Sequence, residues 1–194
     1  AIHHAARLYG HVITEIQNWV PSQDYDHESK FQNELKDVLD ERLNDAGADS
    51  LERNREIPVY RERGRLMADL AIDELVGVEM KRELTNSQAK KLRGQVEAYL
   101  DNYNYVIIVA CGIQDTSNWR EMKNRYQGKK LTGGGKVKFI WKKKENYKAD
   151  TDRGQQQEQK SPDDGGSSSS VIPENPILGI EEDLPNPDDY NPFL

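Results

Sequence analysis

Three residues whose types and spacing could do chemistry lie in the stretch GRLMADLAIDELVGVEMKREL, residues 64–84. Asp69 stands ten residues before Glu79, and Lys81 follows Glu79 by two. Apolar and polar residues alternate on both sides of a plausible turn at residues 73–74, which predicts two antiparallel strands. Because side chains two apart in a strand share a face, we expect all three on one side of this hairpin, facing solvent.

Two carboxylates and a lysine in this arrangement suit the hydrolysis of a phosphodiester. Mg²⁺ takes one or two carboxylates as ligands and keeps several waters. The metal polarises the phosphate and lowers the pKa of bound water, while a lysine orients that water or neutralises developing negative charge. The alternative is a charged, solvent-facing side of a sheet on which Glu79 and Lys81 are only neighbours of Asp69. For an isolated motif of this kind, that alternative is the commoner one.

The elements that must position these residues follow from the periodicity of apolar residues. Residues 105–112 are a continuous apolar run, typical of a strand buried on both faces. Pro58 favours an edge strand. The predicted order is α-α-β-β-β-α-β-α-β, with helices over about residues 8–19, 31–43, 85–102 and 117–127 and strands within 55–64, 66–72, 76–83, 105–112 and 133–144.

With this order in place, the chain resembles the PD-(D/E)xK nuclease superfamily, whose restriction-endonuclease-like core is α-β-β-β-α-β. Asp69 and the run Glu79-Met80-Lys81 match the motif on the second and third core strands, and Ala68 stands where the motif often has proline. The resemblance covers residues 28–111, a little under half of the chain. It implies an α/β fold with this core, to which the chain adds the helix predicted at its N-terminal side and a disordered acidic C-terminal tail.

Two further features carry the same resemblance. Members often have an acid on the first core helix, and Glu34 matches that position. RecB-like members also have a glutamine and a tyrosine one helical turn apart, which Gln95 and Tyr99 match. By resemblance, Glu34 would bind the metal through water or shape the site, and Gln95 would orient the lysine or a phosphate. Tyr99 is as readily explained by packing.

The resemblance also implies the metal ligands. Asp69 and Glu79 would bind Mg²⁺, for which Mn²⁺ would substitute, with the Met80 carbonyl as a possible third ligand, and Lys81 would position the attacking water. The sequence therefore predicts a Mg²⁺-dependent deoxyribonuclease. The alternative is a non-catalytic nucleic-acid-binding or assembly protein on the same fold. For the nuclease, we expect alanine at Asp69, Glu79 or Lys81 to abolish cleavage and leave the fold intact, because all three face solvent.

A basic segment offers a surface for nucleic acid. Residues 120–148 hold 11 basic and two acidic residues. The candidate contacts to a phosphate backbone are Lys123, Arg125, Lys129, Lys130 and Lys142, with DNA as the expected partner and RNA not excluded. Trp119 and Trp141 lie among these bases and could stack on unpaired nucleotides, but we favour a core position for both. A solvated charged face explains the lysines about equally well.

The composition changes beyond residue 148, which divides the chain into a nuclease-like domain, 1–148, and a tail, 149–194. Residues 150–194 carry 11 acidic and two basic residues and are rich in Ser, Gly and Pro, which predicts disorder. Within them, residues 171–194 set hydrophobic side chains among acids and could dock on a protein partner, although an inert extension is the alternative. The single cysteine, Cys111, and the lack of a long apolar run predict a cytoplasmic, intracellular protein without a membrane span.

Overall fold

The structure is a computed structural model that describes residues 2–45, 55–62, 64, 66–127 and 135–149. Several predictions fall on other parts of the chain. The acidic tail with its possible docking segment, residues 171–194, and the predicted phosphate contacts Lys129 and Lys130 lie outside the described residues.

Within the described ranges, four helices and five strands follow the predicted order α-α-β-β-β-α-β-α-β. The α/β class is thereby confirmed. The helices are α1 (Ile2–Asn18), α2 (Glu28–Asn44), α3 (Asn86–Asn102) and α4 (Ser117–Tyr126). The strands are β1 (Val59–Arg61), β2 (Leu70–Ile72), β3 (Val76–Lys81), β4 (Tyr105–Cys111) and β5 (Val137–Lys142), and a 3-10 turn (Lys144–Asn146) follows β5.

The five strands form one mixed sheet in the order β1-β2-β3-β4-β5. The strands β1, β2 and β3 pair antiparallel, whereas β3, β4 and β5 pair parallel. The helices α3 and α4 are the crossovers that parallel pairing requires. Because β1 lies at an edge of the sheet, the adjacent Pro58 removes no hydrogen bond from a central strand, as its position in the sequence predicted.

Two hydrophobic clusters cover the two faces of the sheet. One face packs on α1 and α2 through residues such as Leu8, Val12, Phe31 and Leu35. The other packs on α3 and α4 through residues such as Leu92, Val96, Trp119 and Met122. The strand residues alternate between the clusters: Ile107 and Val109 face the first, and Ile108 and Ala110 the second.

This second layer corrects the prediction that Asp69, Glu79 and Lys81 face solvent. Glu79 is buried, at 2% exposure, and helix α3 covers its side of the sheet. Alternation in the sequence predicted the apolar face of the hairpin. The layer that covers the other face comes from α3, which follows the hairpin in the chain, so alternation within the hairpin does not predict it. The prediction that alanine at these positions leaves the fold intact loses its physical basis.

The hairpin that joins β2 and β3 is shorter than predicted. The strand β2 begins at Leu70, and the Leu66 side chain is 57% exposed before it instead of joining the apolar face. Ala68 packs in the cluster on the α3 side, not with Leu70 and Ile72. The predicted turn is present, and both Asp73 and Glu74 have positive φ, as a tight type I′ hairpin turn requires.

In the part of the chain that the structure describes, no helix has the length and apolar character to cross a membrane.

Candidate active site

Asp69 and Glu79 face each other across the β2–β3 hairpin. The register pairs Leu70 with Val78, so one further step toward the open end of the hairpin places Asp69 opposite Glu79. Directly opposite residues of antiparallel strands project to the same face. The structure therefore brings together the two acids that the sequence singled out.

Glu79 is held by two donors. Its Oε1 accepts a hydrogen bond of 2.5 Å from Lys81 Nζ, and its Oε2 accepts one of 2.9 Å from the Tyr99 hydroxyl. The side chains of Glu79 and Lys81 are 3% and 14% exposed, so this ion pair lies in an interior where charges interact strongly. Burial and the neighbouring Glu79 raise the pKa of Tyr99 far above its usual value, which keeps the hydroxyl protonated as a donor.

Asp69 is held by the backbone of the next strand. Its Oδ2 accepts a hydrogen bond of 2.7 Å from the Met80 amide. Burial and the nearby Glu79 carboxylate raise the pKa of Asp69 to about 7, against the opposing effects of the Met80 amide and Lys81. The site thus holds one buried and one half-buried carboxylate near a single lysine, which is bonded to Glu79.

The Met80 carbonyl is directed toward the same side as Asp69. In a strand, the N–H and C=O of one residue point to the same neighbouring strand, and the Met80 N–H points to Asp69. The Met80 side chain packs on the opposite face, in the cluster with α1 and α2. A backbone oxygen at this position could therefore join the two carboxylates as a ligand.

Lys81 also approaches a third acid. Its Nζ lies 3.7 Å from Glu28 Oε1, at the first residue of α2. Burial lowers the pKa of Lys81, but Glu79 and Glu28 raise it by more, so the net pKa lies above its usual value and the ammonium stays charged. Glu28 Oε2 in turn accepts a hydrogen bond of 3.0 Å from the Arg82 amide.

Glu34, the helix acid expected in the site, lies elsewhere. Its two oxygens accept hydrogen bonds from Trp19 Nε1 (3.1 Å), from Ser22 N (2.9 Å) and Oγ (3.0 Å), and from the Tyr25 hydroxyl (2.6 Å). Six residues of helix separate it from Glu28, a rise of about 9 Å and a rotation of about 240°. Glu34 therefore fastens the α1–α2 connection, and the acid that reaches the site is Glu28.

Glu28 gave little signal in the sequence. An acid in the first turn of a helix is common because it interacts favourably with the positive end of the helix dipole. That explanation accounts for Glu28 without any site. The position of Glu28 along α2 is the signal that could have identified it. The start of the helix reaches the end of β3 that carries Lys81.

Tyr99 and Gln95 lie on α3, which begins at Thr85 with a capping box. The Thr85 hydroxyl accepts from the Gln88 amide, and the Gln88 side chain accepts from the Thr85 amide at 2.8 Å. Because β3 and β4 are parallel, α3 runs opposite to β3. One turn from Tyr99 back to Gln95, about 6 Å, matches the two-residue step of about 6.6 Å from Glu79 to Lys81. Gln95 is thus level with Lys81 and half-buried, and its side chain makes no hydrogen bond with the described residues.

The three predicted phosphate contacts that the structure describes, Lys123, Arg125 and Lys142, do not share one face of the sheet. Lys123 and Arg125 are exposed on α4, which covers one face of the sheet. The Lys142 Nζ instead donates 2.8 Å to the Gln17 carbonyl at the end of α1, on the other face. Burial lowers the pKa of Lys142 to about 8. Trp119 is buried as favoured, but Trp141 is 37% exposed, so a core position was wrong for Trp141.

A cleft of about 530 Å³ adjoins the site at the carboxyl ends of β3 and β4. Its lining includes Arg82, Thr85, Asn86, Gly112, Gln114 and Asn118. The Arg82 Nε atom is buried and, among the described residues, has no hydrogen-bond partner. Open α/β sheets commonly bind ligands outside the carboxyl ends of their parallel strands. The acids Asp24, Glu83 and Asp115 also line the cleft, whereas Lys81 does not and is joined to it through the adjacent Arg82.

Comparisons of the chain with protein-family models, with curated proteins and with solved structures find no match. The class that the fold and the site define is an α/β protein with a mixed five-stranded sheet and a buried, acid-rich site at the end of its central strand β3. Any assignment of function therefore depends on the geometry of that site.

Proposed function

We propose that this protein is a metal-dependent nuclease that hydrolyses DNA phosphodiesters with Mg²⁺ as its cofactor. The observation that carries the proposal is the placement of Asp69 opposite Glu79, with Lys81 bonded to Glu79. Like charges placed close together at a partly buried position are unfavourable for folding, and such arrangements are concentrated at functional sites. A divalent cation would relieve the repulsion that raises the pKa of Asp69.

The donor set fits Mg²⁺. The cation would be held by the carboxylates of Asp69 and Glu79 and by the Met80 carbonyl, with water at its other positions. Among the described residues, no three side chains of His, Cys, Asp or Glu are grouped so as to hold a metal. Mg²⁺ is commonly bound by one or two carboxylates together with water and substrate phosphate oxygens.

Each residue of the site would have its own role in hydrolysis. When bound, the cation would polarise the phosphate and lower the pKa of a coordinated water. Lys81 would hold the attacking water and neutralise the charge that develops on the phosphoryl oxygens. Glu28 would keep the Lys81 ammonium at the end of β3, and Tyr99 would keep the Glu79 carboxylate in place. Gln95, level with Lys81, would contact the water or a phosphate oxygen.

The order of the elements supports the likeness to the PD-(D/E)xK superfamily. From α2 to β4 the chain runs α-β-β-β-α-β, and Asp69 and Glu79 lie at the second and third of these strands. We therefore propose a restriction-endonuclease-like core over these elements, with α1 as the additional N-terminal helix. Glu28 replaces Glu34 as the acid of the first core helix in this proposal.

A cleavage assay tests the proposal. The full chain would be incubated with circular, linear, single-stranded and branched DNA and with RNA, with Mg²⁺, with Mn²⁺ and with chelator. We expect metal-dependent cleavage that is abolished by Lys81→Ala and Asp69→Asn. Lys91→Ala, which removes an exposed lysine of α3, serves as the matched control and should cleave normally. Absence of cleavage of every substrate with both metals would refute the nuclease.

A non-catalytic nucleic-acid-binding protein is the second candidate. It is favoured by the fact that both oxygens of Glu79 already accept hydrogen bonds from Lys81 and Tyr99, as in a purely structural ion-pair network. Isothermal titration with Mn²⁺ separates the two. A nuclease should bind the ion through Asp69 and Glu79, whereas a binding protein should give the same titration for wild type and Asp69→Asn.

A further inference from the structure

A groove at the end of β5 differs in lining from the candidate active site. Its volume is about 260 Å³, and it lies between the end of α1 and the last residues of β5. Apolar and aromatic side chains form much of its wall: Trp19, Val20, Pro21, Trp141 and Tyr147. Gln17, Asn146, Lys142 and Lys143 complete it, so no acid is among the described residues that line it.

The groove exposes an aromatic ring. Trp141 is 37% exposed, whereas Trp19 and Trp119 are 2% and 4% exposed. The Lys143 ammonium lies 5.2 Å from the centroid of the Trp141 ring, a cation–π distance. More than a third of Trp141 is left in solvent, and a partly exposed tryptophan beside a cation is typical of binding surfaces.

The lining of the groove is positive. Lys142 and Lys143 line it without an acid among the described residues, and the next residue, Lys144, is paired with Asp24 at 2.6 Å. The Lys142 ammonium is bonded to the Gln17 carbonyl at 2.8 Å, which holds it at the groove wall. Such a surface attracts a polyanion.

We propose that this groove binds single-stranded nucleic acid, with an unpaired base stacked on Trp141 and adjacent phosphates held by Lys142 and Lys143. In a duplex the faces of the bases are stacked on one another, so only an unpaired base can offer its face to the indole. The absence of acids from the described lining disfavours a basic peptide. The proposal goes beyond nuclease activity, because it concerns binding and requires no hydrolysis.

The position of the groove adds a consequence for the substrate. The strands β3, β4 and β5 are parallel, so their carboxyl ends share one edge of the sheet. Two strand spacings, about 10 Å, separate the end of β3 with Lys81 from the end of β5 with Trp141. A single strand bound in the groove would therefore lie at the same edge of the sheet as Lys81, two strands away.

The test is binding of a fluorescein-labelled oligothymidylate to the full chain in chelator, where no metal-dependent cleavage occurs. We expect Trp141→Ala to weaken binding by at least about fivefold, the lower limit for loss of one stacked base. Trp141→Phe, which keeps a ring, should lose less. Lys143→Ala should also weaken binding and reduce its salt dependence. Lys91→Ala, on α3, is the control and should lose less affinity than Lys143→Ala.

A second readout distinguishes stacking from charge. Oligothymidylate should quench the tryptophan fluorescence of wild type, and Trp141→Phe should remove that quenching because the other two tryptophans are buried. A duplex of equal length should bind with an affinity that does not depend on Trp141. Wild-type affinity in Trp141→Ala, or equal losses for single strand and duplex, would overturn the proposal. A protein that binds as expected but cleaves nothing would refute the nuclease and leave this inference standing.

Discussion

The Tyr99 hydroxyl donates a hydrogen bond of 2.9 Å to Glu79 Oε2, across the interface between α3 and β3. The Glu79 side chain is 3% exposed, and the Tyr99 side chain is fully buried. A buried carboxylate needs such a partner, because an oxygen without one carries the full cost of desolvation. The hydroxyl is thus part of the site as well as of the core.

Tyr99→Phe should therefore destabilise the protein. The substitution keeps the ring and removes only the donor to a charged group, and we expect a loss of about 1.5–3 kcal/mol in the free energy of unfolding, measured in urea. Tyr126→Phe is the control, since its hydroxyl donates a longer bond of 3.3 Å to the Arg93 carbonyl at a half-buried position. Equal losses in the two variants would show that the bond to Glu79 is not special.

The pH dependence of stability should report on Asp69. Burial and Glu79 raise its pKa in the folded protein to about 7, above the unfolded value near 3.8. The folded state then holds a proton that the unfolded state has released, so stability falls as pH rises from about 4 to about 7. The contribution of this group amounts to a few kcal/mol at most, about 1.4 kcal/mol per unit of pKa.

Asp69→Asn isolates that contribution. Unfolding in chelator at a series of pH values should show a smaller decline between pH 4 and 7 for the variant than for wild type. The opposite sign, with wild type gaining stability over this range relative to the variant, would mean that Lys81 and the Met80 amide outweigh burial and Glu79.

Two acids of α2, Glu28 and Glu34, should differ in function. Glu28→Gln removes the second carboxylate beside Lys81, and we expect cleavage to slow by about 10- to 100-fold, the usual range for groups that support a metal site. Glu34→Gln should leave cleavage near normal and lower thermal stability instead, because Glu34 accepts four hydrogen bonds between α1 and α2. If Glu34→Gln lost as much cleavage as Glu28→Gln, then Glu34 would be the helix acid of the site, as the resemblance implied.

Two glycines should respond oppositely to the same substitution. A Cβ at Gly77 would lie 2.6 Å from Tyr103 Cδ2, so Gly77→Ala should overpack the β3–α3 interface and cost about 1–3 kcal/mol. At Gly94, inside α3, nothing lies within 4 Å of the position that a Cβ would take, and Gly94→Ala should stabilise by about 0.5–1 kcal/mol. Urea midpoints of the two variants provide the comparison.

The central part of the fold was predictable from local patterns. Alternation around Asp73 indicated the hairpin, and the apolar run of β4 indicated a strand with both faces covered. The pairing of Asp69 with Glu79 follows from the same alternation. These features depend on near neighbours in the chain, and period-2 and period-3.6 patterns report on such neighbours.

The burial of the site and the identity of its third acid were not predictable in this way. Glu79 is buried by α3 and Lys81 is approached by Glu28, and both contacts join residues at least 20 apart in the chain. Trp141 was wrongly expected in the core because hydrophobicity alone does not tell a core tryptophan from one on an edge strand. Its exposure depends on where β5 ends relative to α1, which no local pattern encodes.

Because the Met80 amide is hydrogen-bonded to Asp69, its proton reports on the state of the candidate active site. The strand β2 begins at Leu70, so at Met80 a side-chain carboxylate takes the place that a neighbouring strand's carbonyl would fill. The chemical shift of the amide proton therefore depends on the charge and the contacts of that carboxylate. In a heteronuclear NMR spectrum, the Met80 cross-peak should move when Asp69 gains a proton or a cation, which would let occupancy be followed without any substrate.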